Sequence, residues 1–346
     1  MKRYYIHILL YIVLIVGFDL ITHAMGRSYY LTQLTMSFYY SMVVLGLVLL
    51  MGYAGQISLG HAGFFAIGGY STAVLSTINL LPYKENQIIK LLHSFGLLVM
   101  REDLYGDRIL SFHPWVGVIT AVVLAGIIAY LIGIPVLKLK GHYLAMATLG
   151  FGIIVYRIVL GTALFGEADG ISDVPPFQLF PGIGISGELD EKRINYYIAA
   201  AMVLIVLFLL TNLINSRVGR ALRAIHGSEE AAQAAGIDTA GFKLKVFVLS
   251  SVVAAVAGAF LTHYNGGIGP GESSVMKSVR YVAIVAAGGM ASLWGGLITS
   301  MVLNFLSLRG YFGSYDDAVF GAVLIVIMLF APEGIINLKK ILNSKH

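Results

Sequence analysis

Three sets of polar residues in this 346-residue chain have types and spacings that could do chemistry. The first is a compact island, Ser216-Arg-Val-Gly-Arg-Ala-Leu-Arg-Ala-Ile-His-Gly-Ser-Glu-Glu-Ala-Ala-Gln-Ala-Ala-Gly-Ile-Asp238. Arg217, Arg220 and Arg223 recur every three residues and so share one face of a short helix, which Gly227 is placed to end as a left-handed residue. Ser228 is placed to cap a second helix with Glu229 and Glu230 in its first turn, where carboxylates suit the helix dipole. That helix runs through Ala231 and Ala232 and stops at Gly236. Alanines give it a narrow profile that fits a partner's groove, so the chemistry on offer is docking; the plainer alternative is a solvated basic loop.

The second set is Gln56, Ser58 and His61, embedded in Gly52-Tyr-Ala-Gly-Gln-Ile-Ser-Leu-Gly-His-Ala-Gly63. Each mid-helix glycine costs about 1 kcal/mol relative to alanine, so Gly52, Gly55, Gly60 and Gly63 need an offsetting gain. Close helix packing supplies one, and a broken helix whose backbone lines a water-filled cavity supplies another. The three polar side chains accordingly either bond to neighbouring helices or line a pathway. The third set is Arg157 in an apolar run, with Asp19 the only acid similarly placed. A guanidinium at mid-bilayer costs a few kcal/mol, which calls for an internal partner, a cavity, or snorkelling toward an interface.

Much chemistry is missing. The dipeptide Gly-Lys that a phosphate-cradling P-loop requires never occurs, so no ATPase site is expected in this chain. The nine histidines form no His-x-x-x-His pair and there is no cysteine, so neither a metal site nor a thiolate is expected. Apart from Asp19 the acids lie between the apolar runs, which argues against an ion-coupled carrier. His61, Arg157 and Asp19 make no recognisable enzyme constellation.

The elements that must position these residues are membrane helices. With 58% hydrophobic residues, 12% charged residues and a mean hydropathy of +0.83, the chain is expected to be an all-α polytopic membrane protein of about 8–10 helices in a single transmembrane domain over 1–346. Apolar stretches run near 5–20, 36–51, 59–78, 115–137, 143–164, 196–214, 246–263, 279–308 and 318–331. The eighth is interrupted at Gly288 and Gly289, as two half-helices or a re-entrant pair would be. The first is read as a retained helix, not a cleaved leader. Two longer loops, 79–114 and 165–195, either lid the bundle or form a docking surface; within the first, 88–100 reads as an interfacial helix.

Assigning alternate loops to opposite sides gives twelve Lys and Arg against four acids on one side, and ten against thirteen on the other. By the positive-inside rule the first side, with the island and both termini, is cytoplasmic. Juxtamembrane cations facing lipid account for the pI of 9.2, and no nucleic acid is implied.

The island, as Ser216-Arg-Val-Gly-Arg-Ala-Leu-Arg-Ala-Ile225 followed by Glu230-Ala-Ala-Gln-Ala-Ala-Gly-Ile237, resembles the EAA coupling loop of ABC importer permeases in the form found in LivM-type permeases of branched-chain amino acid importers. Gly52 to Gly63, Gly141-His-Tyr-Leu-Ala-Met-Ala-Thr-Leu149, Gly288-Gly-Met-Ala-Ser-Leu-Trp-Gly295 and Pro332-Glu-Gly-Ile335 are similar to the same family, in its order. Glu167-Ala-Asp-Gly-Ile171 departs from the family's outer turn, and 79–114 is longer than usual, which bears on cargo more than on architecture. The resemblance implies a permease subunit without its own cofactor, in the cell membrane of a bacterium or archaeon. It would work with a second, LivH-like permease, two ATPase subunits that bind ATP and magnesium, and an extracytoplasmic substrate-binding protein. Branched-chain amino acids are the implied cargo; urea or short amides through the same permease type are the alternative, and a self-contained channel or secondary carrier is a third reading. Coupling would fall to Arg217, Arg220, Arg223, Glu229, Glu230, Ala231, Ala232 and Gly236, with Gln56, Ser58, His61 and Arg157 as pathway candidates.

Overall fold

The computed structural model describes residues 2–330 apart from 104, 105, 140, 181 and 189. The Pro332–Ile335 motif and the C-terminal lysines lie outside the described residues. In chain order the helices are α1 (Lys2–Ala24), α2 (Tyr30–Val48, continued by a π-helical turn Leu49–Tyr53), α3 (His61–Thr77), α4 (Gln87–Ser94), α5 (Pro114–Val136), α6 (His142–Gly161), α7 (Lys192–Asn215), α8 (Arg217–Gly227), α9 (Glu229–Ala234), α10 (Thr239–Asn265), α11 (Val275–Gly288), α12 (Leu293–Leu308) and α13 (Asp316–Phe330). Two antiparallel hairpins stand in the long loops, β1 (Leu98–Glu102) with β2 (Arg108–Phe112), and β3 (Phe177–Phe180) with β4 (Ile183–Ile185). The chain is an all-α polytopic bundle, as its composition requires. Among the described residues five stretches are long and apolar enough to cross a membrane: Tyr30–Tyr53, Pro114–Val136, His142–Gly161, Lys192–Asn215 and Thr239–Asn265.

The interrupted eighth stretch is two half-helices. Gly289 takes a positive φ of 92°, and α12 restarts at Ser292, whose hydroxyl accepts from the Gly295 amide at 3.0 Å. The interfacial helix expected over 88–100 is shorter: α4 ends at Ser94, Gly96 turns with φ +70°, and the alternating residues that follow join β1.

Burial identifies the centre of the bundle. In α2 and its π turn 94% of the apolar window is buried, against 33% in α5 and in α6, so α2 is the axial helix. The α3–α10 crossing is close because both helices present small residues: a Cβ added at Gly68 would overlap the Ala255 backbone, and one at Gly258 would overlap the Phe65 carbonyl. In lipid, where helices gain little by hiding apolar surface from one another, such backbone contact supplies the dispersion that holds them. Aromatic side chains fill the space that remains, with Phe64 4.7 Å from Phe151 and 5.7 Å from Phe247 between ring centroids.

Contacts between loops sort them into two ends, as the alternation of spans predicts. One end holds the island, the segment 54–60 and the α11–α12 break. The other gathers 24–30, 78–113, 162–191, 266–274 and 309–316, tied by pairs such as Arg101–Asp173 at 2.9 Å and Arg280–Asp317 at 3.1 Å.

Candidate functional site

The island is two short helices clamped to the bundle. Ser216 caps α8, its hydroxyl accepting from the Val218 amide at 3.1 Å, and Ser228 caps α9 by accepting from Ala231 at 3.2 Å. Gly219, Leu222 and Ile225 form the buried face of α8, while Arg217, Arg220 and Arg223 are exposed on the other. Gly227 is not the left-handed terminator expected: it remains helical, and the chain turns instead at Ser228, extended at φ −160°. The serine can both leave the first helix and cap the second, so no left-handed residue is needed there. The left-handed residue is Gly236 at φ +81°, where the Ile237 amide closes onto the Ala232 carbonyl at 3.0 Å. Glu230, Ala231 and Gly236 are exposed, Ala232 is buried, and Glu229 is half-buried.

What fixes α9 was not foreseen. Lys243, one turn into α10, reaches Glu229 at 2.5 Å with its side chain only 9% exposed. Thr239 donates to the other oxygen of Glu229 at 3.4 Å and accepts from Gln233 at 2.9 Å. Lys243 reads in sequence as one more basic loop residue. Its signal is the i, i+14 return across a turn, which no helical periodicity reveals.

The far end of α8 rests on the first glycine break. Gly55 has φ +66°, and a Cβ there would lie 2.8 Å from Nδ1 of His226. That break rests on the second: a Cβ at Gly52 would overlap the Met290 carbonyl oxygen, and Tyr53 donates its hydroxyl to the Ala291 carbonyl at 2.8 Å. A third motif closes the group. The Leu59 amide donates to the Thr148 hydroxyl at 3.0 Å, and a Cβ would sit 2.7 Å from the Thr148 carbonyl oxygen if added at Gly60 and 3.3 Å from the Phe151 ring if added at Gly63. Gly288 faces Gly295 across the α11–α12 turn, 2.6 Å from its carbonyl oxygen to an added Cβ. Motifs separated by hundreds of residues thus meet at one end of the bundle.

The pathway candidates divide. His61 is fully buried and both ring nitrogens have partners, Ser58 Oγ at 3.0 Å and Ser250 Oγ of α10 at 2.8 Å. His61 thus bonds α3 to α10, and Ser58 bonds His61 at the start of α3. Gln56 is 2% exposed with neither amide atom hydrogen-bonded, so a polar group is held in reserve beside the break. Arg157 is exposed on α6 beside Ile154 and Ile158. It lies four residues, about 6 Å, before the helix ends at Gly161, within snorkelling reach of an interface. It does not pair with Asp19, which accepts from Arg193 Nε at 3.0 Å and from the Tyr197 hydroxyl at 2.8 Å.

Among the described residues no group of three or more His, Asp and Glu side chains could hold a metal. The clefts at the island end include one of about 440 Å³ between α5, α9 and α10, bordered by Lys138, Glu229 and Gln233.

Comparison with known proteins agrees with this architecture. The family described as branched-chain amino acid transport system, permease component, matches residues 29–328. The high-affinity branched-chain amino acid transport system permease protein LivM of Salmonella typhimurium is 28% identical over 331 residues, covering 88% of this chain and 69% of the relative. LivH, named as a permease protein of the same system in that organism, is 26% identical over 322 residues, covering 89% and 96%. A probable LivM of Methanocaldococcus jannaschii is 24% identical over 340 residues, covering 88% and 92%. No solved structure matches. With the match running from the end of the first helix into α13, and taking in the island and both glycine breaks, this chain belongs to the branched-chain amino acid transport permease family.

Proposed function

We propose that this chain is one of two permease subunits of an ABC importer, that it carries branched-chain amino acids, and that ATPase subunits drive it from the cytoplasm through α8 and α9. The observation that carries the reading is the contact of α8 with the Gly55 break, itself seated on the α11–α12 turn. A displacement of the island has a direct mechanical route to the axial helix α2, with no chemistry required of this chain. The positive-inside rule, applied to the alternating apolar runs of the sequence, supports a cytoplasmic island with both termini on the same side.

The names of the LivM and LivH relatives, permease proteins of a branched-chain amino acid transport system, support leucine, isoleucine and valine as cargo in preference to urea or amides. Their pairing in one transport system supports a heterologous permease partner. A substrate-binding protein would then dock at the opposite end, over the two hairpins. In the cycle, closure of the ATPases on ATP moves α8, the 49–60 break and the α11–α12 turn as one unit and opens the bundle at its other end.

The experiment is uptake of radiolabelled leucine by the complete complex in proteoliposomes. Glu230→Lys reverses charge in the first turn of α9, and Gly236→Pro forces φ near −65° on a residue that holds +81°. Each should lower uptake at least tenfold while the permease still inserts. Normal uptake with unchanged ATPase association in both variants would reject the reading.

A further inference from the structure

A second polar cluster lies at the end of the bundle opposite the island, where the sequence offered only scattered charges. Glu272 stands on the short turn Pro270–Ser273 that follows α10, and Lys277 lies in the first turn of α11, whose cap is the Ser274 hydroxyl. Lys277 Nζ is 3.0 Å from Glu272 Oε1 and donates to the Tyr40 hydroxyl at 3.1 Å, while sitting 4.3 Å above the Tyr40 ring centroid. Tyr40 donates its own proton to Glu272 Oε1 at 3.0 Å.

The set is incomplete in a specific way. Every bond made by Glu272 goes to Oε1, and Oε2 is buried without a partner. Tyr281, 1% exposed and with its ring centroid 6.3 Å from that of Tyr40, buries a hydroxyl that also has none. Two unmet polar atoms beside one ion pair are more than a structural clasp needs, since a buried unsatisfied group costs about 1–3 kcal/mol. Glu272 and Lys277 themselves are about one-fifth exposed, so the cluster can be reached from outside.

We infer that Glu272 and Lys277 form a binding site for the zwitterionic head of an α-amino acid at the outward mouth of the permease. The inference rests on the amino-acid reading of the cargo given above. An α-ammonium group supplies three donors and a positive charge, which meet Glu272 Oε2. An α-carboxylate accepts from Lys277 and from the Tyr281 hydroxyl, the donor now idle. Binding exchanges the internal ion pair for two pairs with the ligand, so neither charge is carried into the bundle uncompensated. A neutral amide would leave the ion pair as it found it, so the site selects for net zwitterions.

The test is leucine uptake by the complete complex in proteoliposomes, with Glu272→Gln, Lys277→Met and the exchange Glu272→Lys/Lys277→Glu. Each single substitution is expected to lower uptake at least tenfold at equal yield of assembled complex, and the exchange to leave it low, because restoring an ion pair does not restore the polarity that the ligand meets. Uptake within twofold of the parent in the single variants, or recovery in the exchange, would overturn the inference and leave a structural clasp. Should the charge variants fail to assemble, Tyr281→Phe removes one hydroxyl only; a three- to tenfold loss supports the site and unchanged uptake overturns it. If the unsubstituted complex imports none of leucine, isoleucine and valine, the cargo reading falls and takes this inference with it. If it imports them and the variants do too, the site alone falls.

Discussion

At the island end of this protein the glycine breaks seat against neighbouring segments with no room for a Cβ, whereas at the opposite end charged side chains span between loops and helices. Gly52 abuts Met290, Gly55 abuts His226 and Gly60 abuts Thr148, each contact closed to any residue with a Cβ unless something shifts. At the other end Arg101 spans from one hairpin loop to Asp173 and to the carbonyls of Asp173 and Ser76, Arg193 reaches Asp19, and Lys277 bridges Glu272 and Tyr40. The first construction transmits displacement, because packed backbone has little slack. The second tolerates rearrangement, because long charged side chains can exchange partners at modest cost. A transporter driven from one end and loaded at the other needs both.

The sharpest way to break this comparison is to put a side chain into the backbone contact. Gly52→Val drives a branched Cβ into the Met290 carbonyl; it should abolish uptake and cost about 3 kcal/mol, visible as a lowered denaturation midpoint of the purified protein. Removing the clamp on α9 comes next. Lys243→Met leaves the Glu229 carboxylate, only 25% exposed, without its cation and should cost about 1–3 kcal/mol, with a several-fold drop in coupled ATP hydrolysis that Glu229→Gln added to it partly restores.

The opposite end should respond more gently. Arg101→Met unties the two outer loops and should cost about 1 kcal/mol, read as faster proteolysis within 78–113 with ATPase association unaffected. The smallest effect belongs to Arg157→Leu, where no internal pair exists to break: a change within about 0.5 kcal/mol and uptake within twofold of the parent, measured on the same preparations.

The same contrast explains what could be read from the residues alone. Backbone contacts demand glycine, so the breaks at Gly52–Gly63 and Gly288–Gly289 leave a signature, and the caps Ser216 and Ser228 are local enough to be placed by spacing. The half-helices followed from an apolar stretch too long for one span. Pairs between distant residues leave no such mark: Arg193 with Asp19 lies 174 positions apart, and Arg101 with Asp173 lies 72 apart. The hairpins escaped notice because each strand is three to five residues long and only half alternates. Gly227 and Gly236 show the limit of type-based reasoning. Both follow short helices, and only the conformation of the next residue decides which one turns left-handed.

The central claim is that α8 and the glycine break move together. Because the chain contains no cysteine, spin labels can be placed cleanly at Arg223 and Ile57, both exposed at the island end, and at Tyr83 at the other. Pulsed distance measurements on the complete complex, with and without trapped ATP, compare the three separations. The account predicts an Arg223–Ile57 distance that stays constant through the cycle while Ile57–Tyr83 changes. An Arg223–Ile57 distance that shifts with nucleotide while Ile57–Tyr83 stays fixed would contradict it.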